Sequence, residues 1–75
     1  MAKLKFDFSR LQGRIVEKFG TRGRFAEAMG LSDGQMSDRL NNRVYMDGAE
    51  ITQAADLLGI PGEEIHAFFL TPKFD

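Results

Sequence analysis

Apolar residues recur at the spacing of one helix face in five successive stretches of this chain. Leu11, Ile15 and Phe19, with Val16 beside them, mark a first helix from about Ser9 to Phe19 that stops at Gly20. Its start has two readings: Ser9 forms a capping box with Gln12, or Asp7 caps and lets Phe6 staple onto Leu11. Gly13 inside this helix costs roughly 1 kcal/mol relative to alanine, which predicts that a backbone or a bulky side chain approaches closely there. A second helix follows Thr21 as cap, buries Phe25, Ala26 and Met29, and ends at Gly30. Ser32 caps a third, with Gln35 completing a capping box.

Beyond Leu40 the run Asn41-Asn42-Arg43-Val44-Tyr45 has no helical period and is rich in turn formers, so it reads as a loop. Asp47 and Glu50 open a fourth helix, Met46 staples onto Ile51, and the stripe Ile51, Ala54, Ala55, Leu58 runs to Gly59. Pro61 stands as the first residue of a fifth helix, with Glu63 and Glu64 suited to its dipole and Ile65, Phe68 and Phe69 on its inner face. Pro72 ends it, and residues 70–75 read as a strand or arm. These patterns predict one all-α domain over residues 1–75, a compact five-helix bundle.

Within it, Thr21 to about Asn41 has the layout of a helix-turn-helix. Ala26 falls where the two helices cross and only a small side chain fits, Gly30 supplies a left-handed turn residue, and Leu31, Met36 and Leu40 point back into a core. The outer face of the third helix is then free. A helix held out in this way fits the major groove, so the first functional expectation is sequence-specific binding of double-stranded DNA.

Composition narrows the class. With 75 residues, 43% hydrophobic and 28% charged, this is the make-up of a single soluble domain. The absence of cysteine excludes disulfides, a thiol nucleophile and a thiolate zinc site, and favours a reducing cytoplasm. No signal peptide and no membrane span is expected. The net charge of −1 argues against a nucleic-acid binder, but charge is unevenly spread. Residues 1–24 carry seven cations (Lys3, Lys5, Arg10, Arg14, Lys18, Arg22, Arg24) against Asp7 and Glu17, whereas residues 25–75 carry three against nine carboxylates. A basic edge on an acidic body is one reading of that pattern.

Phe25, Ala26, Gly30, Leu31, Ser32, Met36, Ser37, Leu40, Asn41-Asn42 and the stretch Glu50 to Ile60 together resemble the phage repressor and Cro family of helix-turn-helix proteins, the XRE type with a lambda-repressor-like fold. Small Cro-like or repressor-like proteins of phages and prophages are similar also in an opening such as Phe6-Asp7-Phe8-Ser9 and a close such as Phe68-Phe69-Leu70-Thr71-Pro72-Lys73. The resemblance implies a transcriptional regulator. It places Arg22 where relatives commonly carry a phosphate-binding glutamine, and lays the loop after the third helix on the sugar-phosphate backbone.

The residues expected to touch bases are Asp33, Gly34, Gln35, Ser37 and Asp38, those expected to touch the backbone Arg22, Arg24, Ser32, Asn41, Asn42 and Arg43. Lys3, Lys5 and Arg10 extend the basic edge or form an arm in this reading. Two carboxylates facing phosphates are an objection, and Asp33 has a plain alternative role at the start of its helix. Arg22 equally has a plain reading, paired with Glu27 or another carboxylate.

Catalysis has little to build on. His66 is the lone histidine, no zinc or serine-hydrolase set can be assembled, and no phosphate loop is present, so no cofactor, metal or small-molecule substrate is expected. Phe68, Phe69, Leu70 and Phe74 supply more apolar surface near one end than a small core needs, which predicts a homodimer with third helices about 34 Å apart on a near-palindromic operator. The competing reading is a protein-interaction module that keeps the fold but binds another regulator.

Overall fold

The computed structural model describes residues 4–74. Every one of its longer helices starts where a side chain takes up free amide groups that the helix itself cannot satisfy. Neither expected cap stands at the N-cap of α1 (Ser9–Phe19), which is Phe8 and makes no side-chain cap bond; Asp7, one residue earlier, accepts from the Ser9 amide at 2.9 Å and from the Ser9 hydroxyl at 2.7 Å. Thr21 accepts from Arg24 N–H at the head of α2 (Arg22–Met29), and Ser32 and Gln35 form a full capping box on α3 (Asp33–Leu40). Asp47 accepts from Glu50 N–H on α4 (Gly48–Leu58).

The ends follow from glycine. Gly20, Gly30 and Gly59 all have positive φ, and at Gly30 (φ 76°) the Gly30 and Leu31 amides turn back onto Ala26 and Glu27 carbonyls, closing α2 in the left-handed turn that leads straight to Ser32. The last helix departs from expectation. Pro61 stands just outside, a 3₁₀ turn (Gly62–Glu64) follows, and only Ile65–Phe69 is α-helical as α5.

Five helices, with no extended strand among the described residues, bury one core. Leu11, Ile15, Phe25, Ala26, Met36, Ala54, Leu58 and Phe69 are its most enclosed members, and no buried side-chain polar atom among the described residues lacks a partner. Val16, expected beside the α1 stripe, faces outward instead. Gly13 also differs from expectation: a Cβ there would meet nothing within 4 Å, so no neighbour demands the glycine.

The two ends of the chain pair. Phe6 and Pro72 form an antiparallel bridge, with Asp7 N–H donating to Thr71 C=O at 2.8 Å and Lys73 N–H to Lys5 C=O at 2.9 Å. The expected C-terminal arm is therefore an extended segment laid along residues 5–7. No helix of the described residues is long and apolar enough to cross a membrane.

Candidate interaction face of the helix-turn-helix

α3 packs chiefly on α2, and α2 in turn on α1 and α4, so the side of α3 away from α2 stays at the surface. Met36 and Leu40 point inward. Ser32, Asp33, Gly34 and Gln35 are exposed, and Ser37 and Asp38 are half-exposed along the same stretch. Arg22 stands beside the start of α3, so the helix expected to be held out, with an arginine at its head, is present.

What those side chains bond to is less expected. Arg22 forks its Nε and Nη2 onto the two oxygens of Asp33 at 3.1 and 2.9 Å, tying the head of α2 to the head of α3. This hydrogen-bonded pair holds the Asp33 carboxyl below the ordinary aspartate range and raises the Arg22 guanidinium above its own. It also answers two electrostatic puzzles together. The cation at the N-terminus of α2 is offset by Asp33, and the Asp33 charge suits the N-terminus of α3.

The neighbouring groups are similarly engaged. Gln35 Oε1 accepts from Ser32 N–H at 2.9 Å while Ser32 Oγ accepts from Gln35 N–H at 3.1 Å, so the Gln35 carbonyl needed for bidentate pairing with adenine is committed to the cap. Asn41 Nδ2 donates to the Ser37 carbonyl at 2.8 Å and to Ser37 Oγ at 3.1 Å. Arg43 Nη1 lies 3.5 Å from Asp38 Oδ1, and its amide donates to Asp38 C=O. Arg24 is exposed, and among the described residues its guanidinium makes no ion pair.

Two of the residues assigned to the DNA backbone or the basic edge do other work. Asn42, at φ 63°, gives its amide to Phe6, accepting from Phe6 N–H at 2.8 Å and donating to Phe6 C=O at 3.0 Å. It fastens the N-terminal segment instead of reaching outward. Arg10 lies 4.8 Å from the centre of the Phe68 ring, on the α1–α5 seam. Lys3 falls outside the described residues. Phe68 and Phe69, expected at a dimer interface, are spent on the core of the single chain, while Leu70 is half-buried and Phe74 exposed.

Two further contacts were not read from the sequence. Arg39 clamps Glu50 with two bonds of 2.9 and 3.0 Å at side-chain exposures of 15% and 20%, joining α3 to α4. The signal was available: Arg39 sits between Met36 and Leu40 on a face that is otherwise apolar, where a cation requires a carboxylate. Arg14 donates to the Leu58 and Gly59 carbonyls and so closes the C-terminus of α4, a contact across the fold with no local signature.

The structure thus defines a five-helix domain built around an exposed helix-turn-helix whose outer groups are largely paired with one another. By its sequence the chain belongs to a protein family of unknown function, DUF739, whose model matches residues 4–72. It is similar to the modulator of repression of the temperate bacteriophage TP901-1 from Lactococcus lactis, known from a solution structure. The identity is 41% over 85% of this chain and 86% of that one, with a TM-score of 0.77. No curated protein matches. The comparison supports a small phage regulatory protein.

Proposed function

We propose that this chain modulates transcriptional repression by binding another regulatory protein through its α2–α3 face. The observation that carries the reading is the state of that face. Arg22 and Asp33, Asp38 and Arg43, Ser37 and Asn41, and Gln35 and Ser32 are bonded in pairs, so the surface offers a nearly neutral, preformed relief and little unspent hydrogen-bonding capacity for base edges. A duplex attracts proteins chiefly through release of counterions by unpaired cations, and here Arg24 is the clearest such group. The chain's net charge of −1 points the same way. The similarity to a protein named for modulating repression supports a role beside a repressor.

A second reading, a Cro- or repressor-like protein that reads a near-palindromic operator as a dimer, is favoured by one observation: the polar side of α3 stands clear of the rest of the bundle, with Arg24 and Arg43 at its margins. Titrating the isotope-labelled protein separates the two. With the DNA-binding domain of a phage repressor as probe, amide shifts are expected at Gly23, Asp33, Gln35 and Ser37. With a random pool of duplexes, binding is expected to be weak and to enrich no palindrome. Selection of a palindrome, with affinity falling steeply as salt rises, would establish the DNA reading in its place.

A further inference from the structure

The two carboxylates on the outer side of α3 are each bonded to an arginine, and those arginines stand at the two ends of the helix. Asp33 is the first residue of α3, and Arg22, at the start of α2, forks onto both of its oxygens at 3.1 and 2.9 Å. Asp38 follows about one and a half turns further on. Arg43, just beyond the helix, places Nη1 3.5 Å from Asp38 Oδ1 and gives its amide to the Asp38 carbonyl at 2.8 Å, so side chain and loop are tied to the same residue. All four side chains are open to solvent, the most covered of them at 44% exposure.

The position of α3 does not depend on these pairs. Ser32 and Gln35 cap the helix, Met36 and Leu40 anchor it in the core, and the half-buried Arg39–Glu50 clamp joins it to α4, whereas exposed ion pairs add little to stability. Their larger effect is on what can approach. A guanidinium fork receives a carboxylate and a phosphate in the same geometry, so Asp33 takes on Arg22 the place that two phosphate oxygens would fill, and Asp38 does the same less tightly on Arg43. Each carboxylate also sets a negative charge where a polyanion would have to come. Contact between either arginine and a phosphate therefore begins by breaking a bonded pair and ends with a bare carboxylate facing an anion.

We infer that Asp33 and Asp38 are built-in counter-ions that decide the class of partner: by occupying Arg22 and Arg43 they keep duplex DNA off a face whose shape admits it, and without them the same face binds DNA through its phosphates, irrespective of sequence. The inference rests on the reading that the α2–α3 face of the wild-type chain does not take DNA, and adds which two residues bring that about.

Fluorescence anisotropy with a labelled random-sequence duplex as probe, over a series of salt concentrations, tests it. The double variant Asp33→Asn with Asp38→Asn is expected to bind at least about tenfold more tightly than wild type at low salt, with the slope of log affinity against log salt steeper by about two, one for each released guanidinium. Each single substitution is expected to give part of the gain, so either serves if the amide spectrum shows that the double variant does not fold. The gain from Asp33→Asn is expected to vanish when Arg22→Gln is added, because no fork is then released. The same change of net charge made elsewhere, Asp56→Asn with Glu63→Gln, removes exposed carboxylates of α4 and the 3₁₀ turn that join no ion pair among the described residues, and is expected to raise affinity far less. Variants as weak as the wild type, a gain that survives Arg22→Gln, or an equal gain from the Asp56 and Glu63 substitutions would each overturn the inference and leave the protein-binding reading standing. A wild-type chain that already binds as tightly as the double variant would overturn both.

Discussion

Asp33 and Asp7 are both held ionised more firmly than a free aspartate, by different donors. Hydrogen bonds from Arg22 lower Asp33, and those from the Ser9 side chain and amide lower Asp7. A carboxyl whose folded pKa lies below its unfolded value contributes stability that is complete above the unfolded value and is lost as acid passes down through the folded one. The bonds of both carboxylates therefore loosen only as the pH falls below the ordinary aspartate range. Carboxyl-carbon titrations by NMR are expected to place both midpoints below that of an ordinary aspartate. In Arg22→Gln the Asp33 midpoint is expected to return towards the ordinary value while that of Asp7 stays put. An Asp33 midpoint unmoved by the substitution would mean that the fork between α2 and α3 does not persist in solution.

The termini of the elements were readable because each cap is a local device. Thr21, Ser32 with Gln35, Asp47, Gly30 and Gly59 act on amides or carbonyls within a few residues of themselves, and a one-dimensional reading contains all of that information. Arg22–Asp33 and Arg39–Glu50 join residues 11 apart, and Asn42–Phe6 residues 36 apart. These pairings depend on how the elements settle on one another, so from sequence Arg22, Asp33 and Asn42 read as candidates for DNA contact and the Arg39–Glu50 pair was not foreseen. Gly13 is the instructive miss. Its cost to the helix suggested a close neighbour, yet the space beside it is open and its φ is not positive. Gly13→Ala is accordingly expected to stabilise the protein by about 0.5–1 kcal/mol. Gly30→Ala, forced to hold φ near 76°, is expected to destabilise it by about 1–2 kcal/mol. Urea titration of the two variants reads both signs, and a destabilised Gly13→Ala would show that something does close over that site.

At the scale of the whole molecule, the helices form one cooperative body and the paired termini are attached to it by a small set of bonds. Phe6 is central to that attachment. Its backbone is gripped on one side by the Asn42 amide, while Lys5 and Asp7 on either side bond to Lys73 and Thr71. Tyr45 adds a hydroxyl bond to Leu4 C=O at 2.6 Å. Asn42 also occupies a left-handed backbone position, so alanine there would mix strain with the loss of the amide, whereas glycine accepts the φ and removes only the side-chain bonds. In Asn42→Gly the Phe6 and Lys73 amides are expected to exchange with solvent at least about tenfold faster, one lost bond of roughly 1.4 kcal/mol or more. The Ile15 and Leu58 amides, deep in α1 and α4, are expected to change far less. Hydrogen exchange followed residue by residue distinguishes this local opening from a general loss of stability, which would speed all four amides together.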